Sequence, residues 1–289
     1  MASSINILVC GATGKQGGKA VSTLLEEKPS NVQVRFLTRN TSSESAKKLV
    51  TKGVEAVQGS LDDKATLDAA LEGVQRAFLV TDAGAGEEKE TQQGINFINA
   101  AKAAGVEHLV FTSVASADDA KSVPHFRSKA KVEEALKSSG LSYTILRPVA
   151  FMDNFPAAAG PARFMVVGMF FASLAWKKCQ LIATEDIGVF AGKALINPES
   201  EHFKNKTIEL SGGNYGLEDV RQAIFKTQGY QPWFASLTPT PIRAILPYDF
   251  KQMMYYLEET GYNDIDTSAL RYIHPGLMTL EDWFRKNGS

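Results

Sequence analysis

The sequence predicts a doubly wound α/β fold, a mostly parallel sheet with helices on both faces, followed by a smaller, mainly helical C-terminal domain. Three observations predict it. An apolar run (Ile5, Ile7, Leu8, Val9) meets three glycines spaced Gly11-x-x-Gly14-x-x-Gly17, and a helical pattern (Ala20, Val21, Leu24, Leu25) starts at once. Strand-like and helix-like segments then alternate up to Arg147. From Pro148 the alternation stops and helical patterns dominate. Alternation of this kind builds parallel sheets, because each return to a parallel neighbour needs a crossover, usually a helix.

Each element has its own signal. After the first strand and helix, Val32–Thr38 reads as a second strand and Ser43–Lys52 as a polar-faced helix ended by Gly53. Val54–Gln58 is a third strand, followed by Ser60-Leu-Asp-Asp63 and a helix over Lys64–Leu71. Arg76–Thr81 is a fourth strand, and the loop Ala83–Gly86 leads to a helix over Lys89–Ala104. Gly105 stops that helix, and His108–Ser113 is a fifth strand. A helix completed by Val132–Ser138 ends at Gly140, and Tyr143–Arg147 is a sixth strand. Further on, helices are expected from Thr184 to about Ala194, over Leu217–Gln228, Met253–Thr260 and Thr279–Asn287, with one strand at Lys206–Leu210. The expected division is residues 1–154 for the sheet domain and 155–289 for the smaller one. The strand at 206–210 is a candidate to return to the main sheet.

Composition narrows the function classes. The chain has 289 residues, 44% hydrophobic, with a net charge of −1. That balance offers no basic footprint for direct nucleic-acid binding. There are two cysteines, Cys10 and Cys179, and no disulfide framework, which fits a reducing, cytoplasmic compartment. Met-Ala-Ser-Ser runs straight into the first strand, so no signal peptide is expected. Phe155–Trp176 is apolar, but Pro156, Gly160, Pro161 and Arg163 interrupt it, and no membrane span is expected. His108, His202 and His274 are isolated and Cys179 has no Cys or His beside it, so no metal site is expected.

Strand, glycine turn and helix N-terminus in that order make a pyrophosphate cradle, the mark of the Rossmann fold. The glycines let backbone approach the phosphates, and the helix's uncommitted N–H groups and dipole face negative charge. Gly11, Thr13, Gly14, Lys15, Gln16 and Gly17 are the candidate contacts. The second strand ends at Thr38-Arg39-Asn40, with no carboxylate for a ribose 2′-hydroxyl. A guanidinium there suits the 2′-phosphate of NADP(H). Lys15 adds charge, and Asn40 and Ser43 lie close in sequence. Ser60, Leu61 and Asp62 follow the third strand and are assigned to the adenine side. The alternative for Asp62 is capping the helix that follows. Thr81 ends the fourth strand, and Pro148, Val149 and Phe151 follow the sixth. All four are assigned to the cofactor. Phe151, Met152 and Phe155 read either as an apolar cover over the nicotinamide or as interdomain core. Tyr255, Tyr256 and Trp283 read as core or domain-contact residues of the smaller domain.

At this point the sequence resembles a family. Gly11–Gly17, Thr38–Asn40, Gln58–Asp63, His125-Phe-Arg-Ser-Lys129 with Val132-Glu133, Leu146-Arg-Pro-x-x-Phe-Met-x-Asn154 and the final Leu280-Glu-Asp-Trp-Phe284 are similar to the NmrA-like branch of the atypical short-chain dehydrogenases/reductases. The resemblance implies an NADP(H)-binding Rossmann domain with a small C-terminal domain. It implies one of two activities. Some members are reductases of quinones, phenylpropanoid double bonds or fungal metabolites. Others are redox sensors that bind the cofactor and regulate a partner such as a transcription factor. Ordinary short-chain dehydrogenases carry Tyr-x-x-x-Lys, one helical turn apart, with the lysine on the nicotinamide ribose. Here Lys129 keeps its place and His125 takes the tyrosine's. Ser113 matches the usual active-site serine. Gln92 stands where sensor-like relatives carry a lysine.

The residues leave His125 open between proton donor, since an imidazole exchanges protons near neutral pH, and a packed or cofactor-touching histidine at a helix start. The leading expectation is an NADPH-dependent oxidoreductase reducing an apolar carbonyl, quinone or conjugated alkene. The alternative is a non-catalytic NADPH redox sensor. Expected partners are accordingly a small apolar substrate or a regulatory protein. A homodimer is compatible with either, as is a nuclear as well as a cytoplasmic location.

Overall fold

A computed structural model describes residues 4–27, 31–234 and 238–288. β1 (Ile5–Cys10), α1 (Lys15–Glu26), β2 (Val32–Thr38), α2 (Glu44–Val50), β3 (Glu55–Gln58), α3 (Lys64–Leu71), β4 (Arg76–Val80), α4 (Glu87–Ala103), β5 (His108–Thr112), α5 (Pro124–Ser138) and β6 (Ser142–Pro148) follow in order. The alternation expected from the sequence is thus realised. The rest comprises β7 (Ala150–Phe151), α6 (Pro161–Ser173), β8 (Cys179–Ile182), α7 (Thr184–Ile196), β9 (Lys206–Leu210), β10 (Gly213–Tyr215), α8 (Leu217–Gln228), α9 (Pro239–Ile245), α10 (Tyr248–Glu259), α11 (Thr267–Ile273) and α12 (Leu280–Asn287).

The main sheet has seven strands in the order β3-β2-β1-β4-β5-β6-β9. β1 to β6 pair in parallel, with Ile7 opposite Val34 on one side and Arg76 on the other. The chain winds outward from β1 to β3, then restarts at β4 and winds the other way. The switch point lies between β1 and β4, and a ligand of such a sheet sits beyond the carboxyl ends of the strands there. β9 joins at the edge. A second sheet holds three short strands, β10-β8-β7, which periodicity did not reveal.

The chain forms two compact units. Unit 1 is Met1–Val114, Arg127–Arg147 and Glu185–Ile208; unit 2 is Ala115–Phe126, Pro148–Thr184 and Glu209–Ser289. The chain therefore crosses between units several times, where the sequence reading placed one cut after residue 154. Part of the reason is Arg76 at the start of β4. Its Nη1 donates to the carbonyls of Leu195 and Ile196 at 2.6 and 2.9 Å, tying the end of α7 to unit 1. Leu8, Leu79, Phe97, Leu109, Phe111, Val132 and Ile145 form one core cluster of unit 1, each fully buried. Each such side chain contributes about 1.5–3 kcal/mol by leaving water.

Unit 2 has its own core of Met152, Phe155, Phe171, Leu181, Trp283 and Phe284. Met152 and Phe155, expected over the nicotinamide or in interdomain core, belong to this cluster, as does Trp283. Tyr255 stacks under Arg243 at 4.7 Å, and Tyr256 packs edge-on to Phe126 at 6.2 Å. The apolar stretch 155–176 supplies α6, only 13 residues long. Within it Arg163 is fully buried, bonded to Pro156 O, Gln228 and Tyr230 at 2.7–2.8 Å and stacked on Phe284. Among the described residues no helix is long and apolar enough to cross a membrane.

Candidate functional site

Gly11 follows β1 with φ +64°, a conformation that favours glycine, and a Cβ there would meet Val80 Cγ1 at 2.5 Å. A Cβ on Gly17 would lie 2.5 Å from the Gly11 carbonyl oxygen, so α1 packs this close to the turn only because Gly17 lacks one. Gly14 occupies the N-cap of α1, with no side-chain cap and no acidic residue in the first turn. The helix end therefore keeps its partial positive charge for an outside anion. Thr13, Gly14 and Lys15 are exposed at this end. Half-buried Gln16 accepts a hydrogen bond from Thr112 Oγ1 at 2.9 Å, which ties the cradle to the end of β5.

Beyond β2, Arg39 and Asn40 are exposed. Asn40 shapes the turn: its side chain accepts from Ser42 N at 2.9 Å, and its carbonyl accepts from Ser43 Oγ at 3.0 Å. Ser43 caps α2 through Ala46 N at 3.2 Å, so its hydroxyl is already engaged at both ends. Beyond β3, Asp63 caps α3 by accepting from Ala65 N and Thr66 N. The capping alternative considered for Asp62 thus belongs to its neighbour. The Asp62 carboxylate instead takes Gln93 Nε2 at 3.0 Å and Lys89 Nζ at 3.3 Å. The Gln93 hydrogen bond, with Lys89 and the charge of Arg39, holds it below the usual carboxylate range. Ser60 Oγ accepts from Asp62 N at 3.2 Å, and Leu61 O accepts from Asn96 at 3.3 Å. Gln92 is exposed and bonds Asn96 at 2.8 Å.

Beyond β4 lies a closed ring of buried polar groups. Lys129 Nζ donates to Thr81 Oγ1 and to Glu90 Oε1, both at 2.6 Å, while Thr81 Oγ1 donates to the same Glu90 oxygen at 2.8 Å. Ser128 donates to the other carboxylate oxygen. The ring thus brings together Thr81 and Lys129, two of the expected residues. Ser113 joins a different network. Its hydroxyl donates to Glu133 at 2.6 Å, and Glu133 is held bidentately by Arg147 at 2.8 and 2.6 Å. All three are nearly fully buried.

In unit 2, His125 opens α5 and its Nδ1 lies 2.7 Å from Asp249 Oδ1 on α10. That oxygen also accepts the His125 backbone N–H at 3.3 Å. The ring packs edge-on to Phe126 at 4.7 Å and lies 6.4 Å from Phe250. A carboxylate acceptor on Nδ1 favours the tautomer that carries its hydrogen on that nitrogen. Pro148 O accepts from Ala115 N at 2.9 Å, and Val149 N donates to Leu210 O at 3.1 Å. Val149 is buried, whereas Phe151 is half-buried in β7 opposite Ile182.

Cys10 and Cys179 are buried thiols. Burial raises the first well above its ordinary value and pushes the second up to about 12. No metal-binding cluster occurs among the described residues. Sequence reasoning missed Asp249, Glu90 and Arg147 and assigned no role to Glu133. Asp249 lies 124 residues from His125, with no motif to join them. Glu90 shares an acidic first turn with Glu87 and Glu88, and nothing in the pattern singles it out.

These contacts fit a dinucleotide: two glycines a Cβ would block, an uncapped helix end, and an exposed arginine after β2. The NmrA-like family model matches residues 3–284, and the chain belongs to that family. Quinone oxidoreductase 2 of Escherichia coli is 29% identical over 241 residues, covering 83% of this chain and 80% of that protein. Among solved structures, the Citrobacter sp. triphenylmethane reductase, complexed with NADP(H), matches with a TM-score of 0.79 at 20% identity, over 99% of this chain and all of that one. NmrA, a negative transcriptional regulator solved with NADP, matches with a TM-score of 0.74 at 18% identity, over 98% of this chain and 95% of that one.

Proposed function

We propose that this NmrA-like chain is an NADPH-dependent oxidoreductase that reduces an apolar carbonyl, quinone or conjugated alkene. Gly11–Gly17 hold the pyrophosphate at the head of α1, and Arg39 with Lys15 takes the 2′-phosphate. The observation that carries the reading is Lys129, held in order beyond β4 by Thr81 and Glu90. That is where a lysine orienting the nicotinamide ribose belongs. Similarity to a quinone oxidoreductase along most of both chains supports the reaction class.

Bound NADPH supplies a hydride, and the substrate then needs a proton. In this reading His125 supplies it. It stands four residues before Lys129 on α5, where short-chain dehydrogenases carry tyrosine. Asp249 holds Nδ1, so the proton leaves from Nε2. The smaller C-terminal region, residues 155–289, takes the substrate, and the protein works in the cytoplasm.

One observation favours a second reading, the non-catalytic NADPH sensor acting on a regulatory protein. Ser113, the expected active-site serine, gives its hydroxyl to buried Glu133, and the tyrosine is absent. The test is NADPH oxidation with a panel of quinones and enones. Turnover supports the reductase. Tight NADPH binding without turnover supports the sensor, for which a nuclear location and a protein partner would then be sought.

A further inference from the structure

We propose that Glu90 sets the relative affinity of this chain for oxidised and reduced nucleotide by cancelling the charge of Lys129. The inference rests on the NADP(H) reading and adds to it a residue that no motif contains.

Glu90 is 0% exposed and Lys129 7%. Their 2.6 Å contact is closed into a ring by Thr81 and fixed from the far side by Ser128. An ammonium beside a carboxylate carries no net charge, whichever of the two holds the proton. Lys129 is therefore a hydrogen-bond donor in a neutral pair, where a lone lysine would be a buried cation. The other buried acid nearby in sequence, Glu133, is paired separately with Arg147 and Lys137. Glu87 is balanced by Arg127 and Lys131 at a more exposed position.

The place of the ring gives the neutrality a consequence. With the pyrophosphate over β1 and the 2′-phosphate beyond β2, the other half of the dinucleotide extends over β4, on the opposite side of β1 in the strand order. Thr81 follows β4, and the ring stands there. The nicotinamide is a cation when oxidised and neutral when reduced. A lone buried cation close by would repel the oxidised form selectively, because charges interact strongly at low dielectric. The Glu90–Lys129 pair leaves both forms tolerated.

The test compares dissociation constants for NADP⁺ and NADPH in the wild type, Glu90→Gln and the double variant Glu90→Gln/Lys129→Met. In Glu90→Gln the ratio Kd(NADP⁺)/Kd(NADPH) rises about tenfold. In the double variant the local charge is again zero, and the ratio returns to within about twofold of wild type. Equal weakening of both nucleotides in Glu90→Gln would mean that Glu90 is only a structural tie, and would overturn the inference. If Glu90→Gln does not fold, the double variant decides alone. A ratio that falls about tenfold below wild type would show that Lys129 acts as a net cation in the native protein, again overturning it. Failure of the wild type to bind either nucleotide overturns the cofactor assignment as well, whereas binding with an unchanged ratio overturns the inference alone.

Discussion

His125 Nδ1 and Asp249 Oδ1 are 2.7 Å apart, and the same oxygen accepts the His125 backbone N–H. One carboxylate thus fixes both the tautomer of the imidazole and the first turn of α5. If Nε2 delivers the proton, Asp249→Asn lowers kcat about tenfold by releasing the ring's orientation. NADPH affinity, which depends on the glycine loop and Arg39, stays within about twofold. Steady-state kinetics beside a direct NADPH titration separates the two. An unchanged kcat would remove Asp249 from the reaction.

Arg39 is exposed after β2, and no acidic side chain lies between it and Glu44. Arg39→Glu removes a charge-assisted pair to the 2′-phosphate and adds repulsion, together about 2–3 kcal/mol. NADPH should therefore weaken by roughly 30-fold or more, while NADH changes little. Equal losses for both cofactors in a binding titration would refute the 2′-phosphate assignment.

Gly17→Ala puts a methyl group 2.5 Å from a backbone oxygen that no rotamer change can move. Either α1 shifts off the turn or the turn opens, at a cost of about 1–3 kcal/mol. The variant should unfold at a lower temperature than wild type and bind NADPH at least tenfold more weakly. Wild-type stability and affinity would mean that the cradle is not packed as described.

His108 tests the fold away from the site. Its ring nitrogens each lie 2.9 Å from a hydroxyl, of Ser142 and Thr144, and it is 1% exposed. Burial, with the charge of Arg76, lowers it from 6.5 to about 4. The unfolded chain therefore takes up the proton first as pH falls. The resulting stability is intact above about pH 6.5 and is lost progressively toward pH 4, by roughly 3 kcal/mol in all. His108→Gln removes the titration. Urea unfolding across that range should show a flatter pH dependence in the variant, and parallel curves would contradict the assignment.

The parallel sheet was legible because strand and helix periods differ and because glycines marked the first turn. The strands β7, β8 and β10 were not, since two to four residues carry no readable period. Candidates for the adenosine side could be read from strand ends, since Arg39 follows directly on β2 and Asp62 lies shortly after β3. The helix cap fell to Asp63 instead of Asp62, a difference of one position that side-chain direction alone decides. Partners of the lysine and histidine were hidden because ion pairs form across the fold. Glu90 is 39 residues from Lys129, and Asp249 is 124 from His125.

In the proposed reaction bound NADPH is consumed, with His125 supplying the proton. Its most direct test is NADPH oxidation by wild type and His125→Ala with a panel of quinones and enones. Steady turnover is expected in the wild type and a fall of about a hundredfold in the variant, with NADPH binding retained. Full turnover in His125→Ala would contradict the proton assignment. Tight NADPH binding with no turnover in the wild type would contradict the reductase itself.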